Sequence, residues 1–283
     1  MDKRKIEENF FKTIMIASSL IILFTLIFIL VSIIIRGLPA MNLEMITRTP
    51  EGGYYLGKEG GVLNAIAGSL YLGIGSTFLA IIVSLPVVLY FNVYAKKRSK
   101  LVSAVRFSLD ILWGVPSIVY GAFGFIIMLF FGLKTSLLGG IVTVALMIIP
   151  IMTRAMDEVI RMIPSELLEA SYALGATRFE TAFKVVTRQA LPGILTALLI
   201  AFGRGIGDAA SVLFTTGFSD NIPHSLLQPA ATLPLAIFFQ LGTPYPEVQQ
   251  RAYASAFILI CIILVVSFVS RILTKKLSKY VVK

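Results

Sequence analysis

Residues 166 to 186 read ELLEASYALGATRFETAFKVV, a polar segment set between long apolar blocks. Ser165, just before it, is placed to N-cap a short helix whose first turns carry Glu166 and Glu169, where carboxylates favour the helix dipole. Leu167, Ala170, Ser171 and Leu174 share one face of that helix. Gly175 suits the left-handed residue that ends it, and Thr177 with Glu180 has capping-box spacing for a second helix. Phe179, Phe183 and Val186 fall on one face of the second. The segment is thus predicted to be a helix, a glycine turn and another helix outside any apolar core. Alone, such a device is either a passive connector or a docking element.

The surroundings decide the fold class. The chain has 283 residues, 57% hydrophobic and 14% charged, with a mean hydropathy of +0.88. This composition is far from that of a soluble globular domain and marks an integral membrane protein. Crossing a hydrocarbon core of about 30 Å needs about 20 helical residues. Six stretches qualify, near 13–35, 65–92, 107–131, 136–153, 191–215 and 253–273. We therefore expect an all-α protein of six transmembrane helices forming one domain over residues 1–283, with the opening segment inside a loop over 154–190. The first apolar run is too long for a signal peptide and lacks a small-residue cleavage site after it, so it reads as a retained anchor.

The formal charge of +10 is not a nucleic-acid footprint. Basic residues cluster before the first span (Lys3, Arg4, Lys5, Lys12), between the second and third (Lys96, Lys97, Arg98, Lys100, Arg106), between the fourth and fifth (Arg154, Arg161, Arg178, Lys184, Arg188) and at the end (Arg271, Lys275, Lys276, Lys279, Lys283). The alternate connections carry few. This is the positive-inside pattern, predicting both termini in the cytoplasm and attraction to anionic lipid. The loop over 154–190 is then cytoplasmic.

The fifth span contains GRGIGDAASVLFTTG, Gly203 to Gly217. At about 1.5 Å per residue, Arg204 lies about 20 Å along a helix from Leu191, deep in the membrane. Asp208 follows at i+4 and can share its face. An ionisable group at that depth costs at least about 2.5 kcal/mol and faces protein or a watery path. Either Arg204 and Asp208 form a structural ion pair, or Arg204 meets an anion in transit while Asp208 orients it; planar guanidinium donors match phosphate or sulfate oxygens well. Gly203 and Gly207 would permit close approach of another helix. Arg106 and Asp110, also at i and i+4, read as an anchor with a local ion pair, the alternative being gating. Arg154 is either an anchor or an anion-exit contact. Trp113, Gly114 and Pro116 predict a locally bent third span, since proline removes a backbone bond.

Other chemistry is poorly provided for. GGYYLGKE, Gly52 to Glu59, has the phosphate-loop spacing but ends in Glu59 where a Ser or Thr is required, and it falls in an external loop. His224 is the only histidine, so histidine metal clusters and a Ser-His dyad within the membrane are excluded. Cys261 is the only cysteine, which excludes a disulfide framework. The apolar LPLAIFFQL, residues 233–241, is predicted to be a short re-entrant or interfacial helix.

On Glu169, Ala170, Ser171 and Gly175, with ALPG at 190–193, the opening segment resembles the cytoplasmic EAA loop of ABC importer permeases. It departs in having Ser171 for the second alanine and no Leu-Pro pair after Val185. GRGIGDAASVLFTTG, with Asp208 where glutamate is usual, is similar to a segment of phosphate importer permeases of the PstA type, as are VPSIVYGAFG (115–124), GGVLNAIAGSLYLG (60–73) and the last external loop. The resemblance implies the MetI-like fold, with the loop docking on a separate ATP-binding subunit. It implies two copies of that ATPase, a homologous second permease of the PstC type, an extracytoplasmic phosphate-binding protein, and phosphate as cargo. ATP and magnesium would sit on the ATPase, leaving this chain without a cofactor or nucleotide site. The competing readings are a permease for sulfate or molybdate, and a channel or membrane enzyme.

Overall fold

The computed structural model describes residues 3–51, 59–96 and 99–277. All of GGYYLGKE except Glu59 lies outside the described residues. A chain this apolar satisfies its backbone polar groups within helices. In order they are α1 (Lys3–Gly37), α2 (Leu43–Thr47), α3 (Leu63–Leu89), α4 (Lys100–Trp113), α5 (Ser117–Phe130), α6 (Leu137–Arg161), α7 (Ser165–Ala173), α8 (Arg178–Glu180), α9 (Thr187–Ile206), α10 (Leu233–Leu241) and α11 (Pro246–Leu277). A π-helical turn, Tyr90–Tyr94, extends α3, and another, Thr181–Val186, joins α8 to α9. One small antiparallel ladder pairs β1 (Pro50–Glu51) with β2 (Glu59–Gly60).

Among the described residues, five stretches are long and apolar enough to cross a membrane: Glu7–Ala40, Leu63–Tyr94, Leu137–Arg161, Arg178–Ile206 and Pro246–Leu277. A sixth arises only if α4 and α5 are taken together, and these are bent by 102°. The continuous stretch expected over 107–131 is therefore two helices. Pro116 has no N–H to continue α4, and the Gly114 and Val115 amides close back on Ile111 and Leu112. Tyr120 Oη then donates to the Leu112 carbonyl at 2.9 Å, tying α5 to the end of α4. The stretch expected over 191–215 also ends early, because α9 stops at Ile206 and residues 209–216 form turns. Glycines at 203, 205 and 207 weaken helix there, and Asp208 takes the Ser211 amide with its carboxylate at 2.7 Å.

The core is a three-helix wedge of α3, α6 and α9. Val88, Val144, Ile148, Met152, Ala197 and Ala201 are fully buried within it. Contacts set the directions: Ser84 and Thr153 hydroxyls pair at 2.9 Å, making α3 and α6 parallel. Gly193 lies against Val159 and Gly205 against Val144, making α9 antiparallel to both. One end of the bundle thus gathers the ends of α3 and α6 and the starts of α4 and α9, with Lys96, Lys100, Arg154, Arg161 and Arg178. We call it the basic end, and the other the loop end. At the loop end, α10 inserts against α3 and α11 around Ala65, Leu233 and Ala236. Thr232 caps α10, and the Leu233 amide donates to Ser69 Oγ at 2.7 Å. The predicted short helix at 233–241 is thus present with its first residues buried.

α1 stands apart. None of its most apolar window is buried, against 67% of that of α6. Its main contact is α11, where Gly37 meets the Tyr253 backbone and Arg36 Nη1 donates to Tyr253 Oη at 3.0 Å.

Candidate functional site

Local chemistry builds a corner at the basic end. Pro164, not Ser165, occupies the cap position of α7 and makes no side-chain cap bond, so Ser165 is the first helical residue and the expected serine cap is absent. The far end matches expectation. Gly175 adopts φ +83°, its amide bonds the Tyr172 carbonyl at 2.9 Å, and the Ala176 amide reaches back to Ser171 at 3.1 Å. This double closure ends a helix on a left-handed glycine. Thr177 and Glu180 then form the predicted capping box, each side chain accepting from the other's backbone N–H. The Thr177 backbone N–H, followed by Lys184, holds the Glu180 carboxyl down at about 2 from its ordinary 4.5.

Ser171, the departure from alanine, has a partner: its hydroxyl lies 2.9 Å from Thr181 Oγ1 in a buried contact that locks α7 onto the π-helical turn. Arg178 Nη1 donates to the Tyr94 carbonyl at 3.4 Å, fastening α8 to the end of the α3 extension. Glu169 and Ala170 face outward. The predicted common face of Phe179, Phe183 and Val186 is split, since the wider π-helical turn swings Val186 inward to full burial while both phenylalanines stay exposed. Phe179 and Phe183 pack at 4.7 Å between ring centroids. Leu174, at 89% exposed, stands beside the turn with no cover.

Beneath this corner the sequence hid an ionic crossing. The expected pair of Arg106 with Asp110 does not form. Instead Arg106 makes a bidentate contact with Asp157 of α6, Nε to Oδ2 at 2.8 Å and Nη2 to Oδ1 at 2.9 Å. Arg154 of α6 returns the exchange, with its Nε 2.8 Å from Asp110 Oδ1 of α4 as an ion pair rather than an aligned hydrogen bond. Because α4 and α6 run antiparallel, each arginine reaches the other helix more readily than the next turn of its own. Asp157, 1% exposed, also accepts from Asn92 Nδ2 at 2.8 Å, so three donors satisfy it, as a buried charge requires. Asp157 and Asn92 were not singled out from sequence. The available signal was a carboxylate at the end of an apolar helix where basic residues dominate.

Arg204 lies elsewhere. A side chain at neighbouring Gly205 would contact Val144, Ser76 and Ile148, and Ser76 is the midpoint of α3. Arg204 is therefore at mid-depth of the apolar bundle, yet it is exposed and has no hydrogen bond or ion pair among the described residues. The expected pairing with Asp208 fails because α9 ends at Ile206, which breaks the i+4 geometry and leaves Asp208 to cap Ser211. Thr196, Ile200, Arg204 and Gly207 form one exposed stripe. A side chain at Gly203 would meet nothing within 4 Å, so no helix among the described residues fills that space. His224 sits in the loop-end connection, its backbone N–H donating to Gln228 Oε1 at 2.8 Å.

A family model described as binding-protein-dependent transport system inner membrane component matches residues 90–281. The phosphate transport system permease protein PstA of Yersinia pestis is 32% identical over 260 residues, covering 92% of this chain and 87% of the relative. The probable phosphate transport system permease protein PstA of Methanocaldococcus jannaschii is 33% identical over 270 residues, covering 93% and 92%. Among solved structures, an inward-facing MetNI methionine ABC transporter chain superposes with a TM-score of 0.64 at 21% identity, covering 76% of this chain and 95% of that one, a likeness of fold. From the family match and these identities, the helical bundle with its glycine-turned corner and bare mid-depth arginine belongs to the binding-protein-dependent transport system inner membrane components of ABC transporters.

Proposed function

We propose that the chain is the permease subunit of an ATP-driven importer of inorganic phosphate, forming half of the translocation pathway. The observation that carries this reading is Arg204: exposed and unpaired at mid-depth, it is too costly to face lipid and so faces a path or a partner subunit. The names of the relatives supply the cargo. In this reading the basic end is cytoplasmic, both termini with it, following the positive-inside distribution. A second permease of the PstC type closes the pathway opposite the stripe of Arg204. Two ATP-binding subunits hold ATP and magnesium and receive the corner at Glu169, Ala170, Ser171 and Gly175; exposed Leu174 and Phe179 supply its apolar contact. An extracytoplasmic phosphate-binding protein delivers cargo at the loop end. Arg204 donates to the phosphate oxygens in transit, and Asp208, fixed on Ser211, shapes the path beside it. Arg154, already engaged by Asp110, contributes to the exit only when that ion pair opens.

The test is ATP-dependent uptake of labelled phosphate, with sulfate and molybdate as competitors, in cells lacking the chain and then supplied with it and its partners. Restored, phosphate-selective uptake is the expected result. Competition by sulfate or molybdate would keep the importer and discard phosphate; flux without the ATPase would favour a channel.

A further inference from the structure

A cavity of ≈ 720 Å³ opens at the basic end between the extension of α3, the start of α4, the end of α6 and α7. Lys96, Lys100, Arg106 and Arg161 line it, and among the described residues no carboxylate does. Arg106 is bound to Asp157. The side chains of Lys96, Lys100 and Arg161 have no hydrogen bond or ion pair among the described residues. Two helix N-termini also edge the cavity, that of α4 at Ser99 and that of α7 at Ser165, and the positive ends of their dipoles add to the potential. Three unneutralised cations beside two helix N-termini select an anion with several oxygens. Apolar Phe91, Val102, Ile160 and Leu168 complete the wall between these cations, so the same space accepts a hydrocarbon portion next to the charge.

We propose that this cavity binds a phosphate group, carried by an anionic phospholipid of the cytoplasmic leaflet or arriving as the free ion. Placing it at the cytoplasmic face rests on the orientation proposed above; the binding chemistry does not depend on what the transporter carries. The apolar wall favours the lipid, and basic pockets between helices on that side of the membrane are where anionic headgroups dock. Ser165 and Leu168 belong to α7, so occupancy presses on the corner that contains Glu169 and Gly175.

The experiment uses the assembled complex in phosphatidylcholine nanodiscs containing phosphatidylglycerol, comparing wild type with the Lys100→Gln/Arg161→Gln double variant. Lys134→Gln, which removes an exposed charge at the loop end, is the control for net charge. Retained phosphatidylglycerol is read by native mass spectrometry. In a second arm, inorganic phosphate is titrated calorimetrically into complexes in phosphatidylcholine alone. The expected result is retention by wild type and Lys134→Gln, and about 30-fold weaker retention by the double variant, the loss that accompanies removal of two near-surface cations. A lipid ligand gives this difference in the first arm only; a free-ion ligand gives it in the second. Equal behaviour of wild type and double variant in both arms overturns the proposal. A failure of phosphate uptake in cells would leave the phosphatidylglycerol arm untouched, so the two readings fail separately.

Discussion

Arg106 and Arg204 both sit on apolar helices, and the molecule treats them in opposite ways. At the basic end, Arg106 and Arg154 each meet a carboxylate of the facing helix, and Asp157 is closed by three donors. At mid-depth, where an unpaired charge is far more costly, Arg204 is left bare on the surface of the chain. The difference separates structure from work. A charge that holds two helices together meets its partner on the facing helix, and in the proposed function a charge meant for something outside the chain is left without one. The crossing of α4 and α6 is self-sufficient, while in the function proposed above the stripe of α9 becomes complete only in the assembly.

Mutations can break this contrast. The largest effect is expected from Asp157→Ala, which strands Arg106: about 3–5 kcal/mol of stability should be lost, read as a collapse in recovered complex or in thermal midpoint. Replacing the pair together, as Arg106→Met/Asp157→Leu, should recover most of that loss. If the double variant is no better than the single, the crossing does more than hold the helices. Arg204→Ala should show the reverse profile, with uptake down by about one to two orders of magnitude through loss of charged hydrogen bonds while Tm and subunit assembly stay unchanged. A Tm drop as large as that of Asp157→Ala would make Arg204 structural.

The corner gives smaller effects. Ser171→Ala leaves Thr181 Oγ1 without its buried partner, about 1–3 kcal/mol, read as faster amide exchange in α7. Gly175→Val forces a branched side chain into φ +83°, a strain of about 1–2 kcal/mol, and should reduce ATPase recovery in pull-downs; unchanged recovery and uptake would argue against docking there. The smallest effect is in pH. With the Glu180 carboxyl held at about 2 against an ordinary 4.5, its capping contribution is full above about pH 4.5, declines as pH falls and is gone below about 2. Amide-exchange protection at Thr177, whose N–H the Glu180 carboxylate accepts, should follow that window, and Glu180→Gln should abolish the dependence.

What sequence could disclose follows from the range of each interaction. The six apolar stretches were legible because hydrophobicity is counted, not arranged. Gly175 and the Thr177 to Glu180 box were legible because their physics closes within four residues. Arg106 with Asp157 was not, since the partners belong to helices whose packing no local pattern encodes. The Arg204 to Asp208 pair is absent for a related reason: i+4 spacing has meaning only while a helix continues, and three nearby glycines with a competing cap at Ser211 end it. Trp113, Gly114 and Pro116 announce the bend locally, but its 102° angle depends on where α5 packs.

The seating of α1 on α11 sets a clock for biogenesis. Arg36 and Tyr253, which clasp the two helices at the loop end, are 217 positions apart, so at roughly 5–20 residues per second the ribosome takes roughly 10–40 s to deliver the partner. During that interval the first helix rests in the bilayer without its mate, while the wedge of α3, α6 and α9 can already assemble. A nascent chain stalled before α11 would therefore hold a finished core and a loose first helix, the form in which quality-control proteases would meet it.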